Sequence, residues 1–580
     1  MKNNHYKLFL FFLIINCQLL IVNCFSQPTS YSKYFIQFTD KNNSPYSISN
    51  SSAYLSARAL QRRINQGIAI AQNDLPVNPA YIDSVRKVPN ITVLNHSKWF
   101  NGVVIYTTDT IALNKVKSFS FVADAKPVKW LGNPKSNISS QKLEVRGQKL
   151  EVKTTTNDKQ IPTPLNSTYN YGSSFNQINM LNGVCLHNKG FHGEGMIIAV
   201  MDAGFWKADS LPAFDSLRVN HQIIGKWNYV DNDSLVYGTH FHGEMTLSDM
   251  GGNLPGRIVG TAPKAKYLLF ITEDVSSENI IEEYNWISAA EYADSVGADV
   301  FSTSLGYTTF DSVKINNITV ANPNNQTYAG MNGRTTPIAI ASAIAASKGI
   351  LPVCSAGNEG WSPWHFIGTP ADADSTIAVA AVDSFKNLAG FSSRGPSYDG
   401  RIKPNVAAQG QDVIVGNQVS GDVEYESGTS FSCPITAGLV ACLWQSHPAS
   451  TNMQMINAIQ QSASQYAHPD SLIGYGIPDF CKAEILLGVN DLSASTEDVL
   501  NVYPNPFSNG FDISFVDWKG EKVLFSLFDI AGRKIIDEQI STTSSTSTLA
   551  IKNLEKLSSG VYILTAQTPR QTYSVKVIKY

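Results

Sequence analysis

The sequence predicts an α/β protein: a parallel-sheet domain, preceded by a small α+β unit and followed by a small β-sandwich. Three observations predict it. Short, continuously apolar runs at 196–201, 267–271, 300–302, 350–354 and 376–382 alternate with helical stretches at 280–296 and 337–348. Strands apolar along their whole length belong to a sheet covered on both faces. Residues 27–132 mix short strands with short helices, and residues 501–580 hold strand-like runs separated by turns.

Residues 1–26 read as an export leader. Lys2 and Lys7 precede an apolar run over 8–22 that Asn16 and Gln18 interrupt, and the small residues Cys24 and Ser26 suit a cut before Gln27. The run is too short and broken for a membrane span, and no transmembrane helix is predicted elsewhere. In the unit 27–132 we expect a strand at 34–38, a helix at 55–66 carrying Arg58, Arg62 and Arg63, a helix at 81–88, and strands at 91–94 and 103–106. Residues 133–170 form a polar linker with a near repeat of Gln-Lys-Leu-Glu-Val at 141–145 and 148–152. Such composition cannot bury a core, and an open chain of this kind is easily cut. The parallel-sheet domain is placed at 171–490, a second linker at 491–500, and the sandwich at 501–580.

A length of 580 residues suggests three or four units at about 150 residues each. Hydrophobic content of 43% with 16% charged residues describes a globular chain. The formal charge is −3 and no basic stripe is sustained, so nucleic acid and anionic membranes are not indicated as partners. Cys17 and Cys24 fall in the leader. The remaining five, Cys185, Cys354, Cys433, Cys442 and Cys481, lie in apolar settings without metal-site spacing. They read as buried thiols with at most one or two bridges.

Chemistry concentrates in four segments. Asp202 ends an apolar strand and is followed by Ala203-Gly204; a carboxylate there can accept the Nδ1 hydrogen of a histidine and fix its tautomer. Two histidines compete for the base. His242-Gly243 opens a helical pattern through Leu247, whereas His240 reads as a loop residue beside the cleft, so His242 is chosen. Ser430 stands at a helix entry with Pro434 tolerated in the first turn, where unpaired N–H groups favour negative charge. Asn358, in Ser355-Ala356-Gly357-Asn358, offers an amide to a developing oxyanion. Together they supply an acid, a base, an oxyanion donor and a nucleophile for acyl transfer.

The order Asp, His, Ser, with Gly428-Thr429-Ser430 and Pro434, resembles the subtilisin-like serine proteases over about 172–489. The family pattern is His-Gly-Thr-His, and this chain departs from it with Glu244 and Met245 after His242-Gly243. The resemblance implies a serine endopeptidase acting through Asp202, His242 and Ser430, with Asn358 in the oxyanion hole. It implies that Ser304, Leu305 and Gly306 pair with an extended peptide and, with Ser355, Ala356 and Gly357, frame the primary specificity pocket. Their small side chains leave room for a sizeable apolar group. The segments at 391–396 and 403–404 also match, with a structural role. No organic cofactor is implied; relatives often bind structural calcium, and no motif here places it.

Residues 27–132 resemble an inhibitor-chaperone prodomain, which makes the chain's own prodomain a partner. At the other end, Tyr503-Pro504-Asn505-Pro506, the segment 527–533, Ser559-Gly560-Val561-Tyr562 and Lys576-Val577-Ile578-Lys579 resemble the sorting domain of type IX secretion. That implies export across both membranes, contact with secretion machinery, and a protein or peptide substrate outside the cell or at its surface. Two rivals stay open on the sequence: a catalytically silent surface or adhesion protein on the same fold, and a processing protease of narrow specificity.

Overall fold

The computed structural model describes residues 31–130, 167–315, 318–494, 500–516, 522–530, 532–541, 546–568 and 572–580. The leader and most of the first linker lie outside these residues. The chain divides into two compact units, one running to Gln445 and resuming over 451–480, the other comprising 446–450 and 481–580.

The first unit opens with a four-stranded antiparallel sheet of β1 (Tyr31–Phe38), β2 (Thr92–Ser97), β3 (Gly102–Tyr106) and β4 (Val122–Trp130), in the order β2-β3-β1-β4. Helices α1 (Ala57–Asn65), α2 (Pro79–Arg86) and α3 (Thr110–Lys117) start where side chains cap them. Ser56 accepts from Ala59 N–H, Asn78 from Ala80 N–H, and Asp109 from Ile111 and Ala112 N–H. Strand alternation gives β1 two buried faces. Tyr34, Ile36 and Phe38 pack with Val85, Val103 and Val116, while Phe35 points the other way and stacks on Tyr284 at 4.7 Å.

Behind it lies a seven-stranded sheet, parallel at every pairing. Its strands are β5 (Ile197–Asp202), β6 (Ile223–Asn228), β7 (Lys266–Ile271), β8 (Val300–Thr303), β9 (Leu351–Ser355), β10 (Ile377–Val382) and β11 (Val406–Gln409), in the order β11-β10-β9-β8-β5-β7-β6. Helices α4 (His242–Gly251), α5 (Ile281–Val296), α6 (Pro337–Ser347) and α7 (Thr429–Ser446) accompany it, with a hairpin of β12 (Val413–Gly416) and β13 (Val423–Glu426). The sheet strands are buried along most of their length, as their apolar runs require. The chain leaves β5 for β6 and β7 on one side and then crosses to β8 on the other. The carboxyl ends of β5, β8 and β9 therefore stand side by side, the arrangement that creates a crevice in open α/β sheets.

Packing begins inside the expected first linker, since Thr168 Oγ1 donates to His187 O and Tyr169 rests edge-on against that imidazole. A helix over Phe480–Ala494 likewise runs past the expected boundary at 490. Cys354, Cys433 and Cys442 are free and buried, and the other two cysteines outside the leader are disulfide-bonded.

The second unit forms two antiparallel sheets. One joins β14 (Leu500–Tyr503), β15 (Phe511–Val516) and β18 (Thr546–Ile551); the other joins β16 (Lys522–Asp529), β17 (Lys534–Ser541), β19 (Gly560–Gln567) and β20 (Thr572–Lys579). Leu500, Phe511, Ile513, Phe525, Leu564 and Val577 share one core. Strand β14 ends at Tyr503, because prolines at 504 and 506 have no N–H to continue a ladder. Among the described residues no helix is long and apolar enough to cross a membrane.

Candidate active site

Asp202 is the last residue of β5 and is fully buried. Its Oδ1 accepts from Ala203 N–H at 2.7 Å and pairs with His242 Nδ1 at 2.7 Å; its Oδ2 accepts from Thr246 Oγ1 at 2.9 Å. His242 and Thr246 lie one turn apart on α4, so both reach the same carboxylate. Gly243 between them is obligatory: a Cβ there would meet Gly204 O at 2.6 Å and Asp202 Cβ at 2.9 Å. Burial opposes a charge on His242, but Asp202, with a smaller contribution from Glu426, outweighs it and raises the imidazole's pKa. His240 does not compete for this role. Its Nδ1 accepts the backbone N–H of His242 at 3.2 Å, and burial followed by the neighbouring His242 pushes its pKa down to about 4.

Ser430 is the second residue of α7 and is 7% exposed, with Phe431 placing its ring 6.0 Å from that of His242. Its Oγ donates to Ser304 O at 3.4 Å rather than to His242, and Ser304 Oγ donates to Ser430 O at 2.8 Å. The structure therefore joins Asp202 to His242 directly and holds Ser430 against β8's end; a serine rotates about χ1 to exchange such partners, and catalytic bonds are often unmade without substrate. Asn358 is held by its oxygen, which accepts from Thr429 N–H at 2.9 Å and Thr429 Oγ1 at 3.0 Å. That grip caps α7 and leaves the amide NH2 as the remaining donor.

Ser304, Leu305 and Gly306 follow β8, with Leu305 buried and Gly306 exposed. Ser355 Oγ donates to Leu305 O at 3.3 Å, tying this segment to Ser355, Ala356 and Gly357 at the end of β9. Gly357 has φ +106°, a region that favours glycine, and accepts Ser393 N–H at 2.8 Å. Lys403 is buried, donating to Ala373 O and Thr376 O at 2.8 Å each, a structural engagement. Thr246, Glu426 and Thr429 complete the surroundings. Of these, the spacing of four between His242 and Thr246 on a helix was the only local signal.

For a metal, the carboxylates of Glu273, Glu278 and Glu282 approach one another within 4.8 Å. Glu273 already accepts from Tyr307 OH and Thr272 Oγ1, and Glu282 from the N–H groups of Asp274 and Asn279. Burial, then Glu278, pushes Glu273 up to about 8. We assign no ion there.

Comparison with known proteins returns three family matches along the chain. Residues 33–146 match the Bacteroidota propeptide domain of peptidase S8, residues 193–476 the subtilase family of the same peptidases, and residues 501–580 a secretion-system C-terminal sorting domain. Subtilisin E of Bacillus subtilis (strain 168) is 28% identical over 298 residues, covering 50% of this chain and 65% of its own length. Subtilisin of Bacillus pumilus is also 28% identical over 298 residues, covering 50% of this chain and 90% of its own. Among solved structures, the MycP3 protease from the type VII (ESX-3) secretion system is similar at 18% identity with TM-score 0.43, covering 54% of this chain and 88% of that one.

Proposed function

The region 193–476 belongs to the subtilase family of serine proteases, and from that premise we propose that the whole protein is a serine endopeptidase made as a zymogen. Its C-terminal sorting domain directs it through type IX secretion to the cell surface or beyond. One observation carries the catalytic reading: a fully buried aspartate paired to a histidine at 2.7 Å, at the crevice beside the helix whose first turn holds Ser430.

In the proposed reaction His242 takes the proton from Ser430 Oγ as that oxygen attacks the peptide carbonyl. Asp202 holds the imidazole in the tautomer that accepts at Nε2 and stabilises the imidazolium that forms, with Thr246 keeping the carboxylate in place. The Asn358 amide and the Ser430 N–H receive the oxyanion. His242 then protonates the leaving amine, and water repeats the sequence on the acyl-enzyme. The substrate backbone lies along Ser304, Leu305 and Gly306 as an added strand, its side chain entering between that segment and Ser355, Ala356 and Gly357. The propeptide, seated on α5, acts as the intramolecular inhibitor until it is cut away. No organic cofactor takes part, and a structural calcium has no residues assigned to it.

A fluorophosphonate probe tests this. It should label the matured wild type and leave Ser430→Ala unlabelled, with peptide hydrolysis lost in parallel. Failure to label active wild-type material would refute the serine mechanism.

A further inference from the structure

Glu244 lies in the first turn of α4, two residues beyond His242, and is fully buried. Neither of its carboxyl oxygens has a hydrogen-bond partner among the described residues. Its Oε1 instead rests over Gly416 at the end of β12, so close that a Cβ there would sit 2.4 Å from it. Ser248, one turn further along α4, binds the same glycine: its Oγ accepts Gly416 N–H at 2.8 Å and donates to Met245 O at 2.6 Å. From Gly416 the chain turns back as β13, ends that strand at Glu426, and reaches Thr429 and Ser430 four residues later. One helix thus carries the histidine at its start and presses, through Glu244 and Ser248, on the hairpin that delivers the serine.

We propose that Glu244 is a positioning residue that works as a neutral carboxylic acid. As an uncharged wedge it sets the spacing between α4 and the β12–β13 hairpin, and its ionisation misaligns His242 with Ser430, giving the enzyme its alkaline limit. The proposal rests on the reading of those two residues as base and nucleophile.

The charges around Glu244 all disfavour its anion. Burial, then Glu424 on β13, pushes its pKa up to about 8. Asp249 on the same helix is fully buried, with Oδ1 held by Gln177 and Oδ2 unpartnered, and its pKa is raised as well. Asp202 on β5 is committed to His242 and Thr246, and Glu426 on β13 acts on His242. The short segments Ile258–Val259 and Pro212–Phe214, which also pack on α4, carry no ionisable side chain. To ionise in such a place the acid must give up its proton and leave a charge that neither a cation nor a hydrogen-bond donor holds. The family's threonine at this position has no such constraint, so the substitution changes what the helix demands of pH.

The test is kcat between pH 6 and 10 for enzyme matured from the full chain, with Glu244→Gln and Glu244→Met beside wild type. The rate of fluorophosphonate labelling of Ser430 serves as a second readout independent of peptide substrate. Wild-type kcat should fall about tenfold per pH unit above about 8 with KM unmoved, while the two permanently neutral variants hold their plateau. If one variant does not fold, the other carries the test. Superposed profiles for wild type and variant overturn the proposal, as does a wild type with no alkaline fall. Wild type that labels at no pH overturns the serine reading itself, a result distinct from labelled enzymes whose profiles coincide.

Discussion

Asp294 and Glu244 are both fully buried carboxyls on helices that flank the sheet, yet they are held in opposite charge states. Asp294, near the end of α5, receives Arg62 at 2.6 Å, Arg63 at 2.9 Å and Lys98 at 3.1 Å, all three from the propeptide. Asp74 answers from the propeptide side, taking Arg63 at 2.8 Å and Lys348 at 2.9 Å. Burial pushes Asp294 up, but Lys98, Arg62 and Arg63 outweigh it and hold its pKa well below the aspartate range. Glu244 has burial without a cation and is pushed the other way. Burial alone does not decide ionisation; the partners supplied with it do. The seam with the propeptide is built from charges that need one another, whereas the helix that begins at His242 buries a carboxyl with no cation beside it.

The contrast can be broken most severely at Asp294. Asp294→Ala leaves Arg62, Arg63 and Lys98 buried with too little negative charge and should cost about 3–5 kcal/mol. Urea unfolding of the full chain in a Ser430→Ala background, which keeps the propeptide attached, measures it. Next in size is Thr246→Val, which removes a donor from the Asp202 carboxylate without changing shape. A hydrogen bond to a charged group contributes about 1.5–3 kcal/mol, so kcat should drop about tenfold or more with KM little changed.

The pH dependence sharpens the comparison because the signs differ. Asp294 has a lower pKa folded than unfolded, so its contribution is complete above the ordinary value of 3.8 and is lost as pH falls through its folded value. Glu244 has a higher pKa folded than unfolded; stability is greatest below 4.5 and declines as pH rises to about 8. Urea midpoints should show Asp294→Asn flattening only the dependence below 3.8 and Glu244→Gln only the decline between 4.5 and about 8. The smallest effect belongs to Lys129, which pairs with Asp274 at 2.6 Å while both side chains keep some exposure. Lys129→Ala should change stability by less than about 1 kcal/mol in the same assay.

Much of this architecture was readable from local pattern. The apolar runs that became β5, β7, β8, β9 and β10 have no other way to be satisfied than a sheet covered on both faces, and α5 and α6 fall where their periodicity placed them. Asp202, His242 and Ser430 each stand at an element boundary, where chain direction changes and side chains are freed for chemistry. Helix α3 and strand β4 were missed: one is short and rich in Lys, the other carries Pro127 and several exposed residues. The hairpin of β12 and β13 was likewise invisible, being a four-residue pairing whose second strand is half exposed. The basic character of α1 was plain, but its purpose was not. Arg62 finds Asp294 across more than two hundred residues of sequence, and nothing local to either announces the other. Glu244 stood out only as a departure from a family pattern; its lack of partners is a property of the fold.

Phe35 stacked on Tyr284 has a further consequence. In the zymogen those two rings are interior to one continuous core that also contains Trp99, Val104, Ile281 and Ile287. Maturation, as proposed, removes Phe35, Trp99, Val104 and Val128 from that core and leaves α5 to meet solvent with side chains chosen for contact. The same patch must therefore satisfy two consecutive lives, one dry and one wet. That double obligation constrains which residues evolution can place there more tightly than either life would by itself.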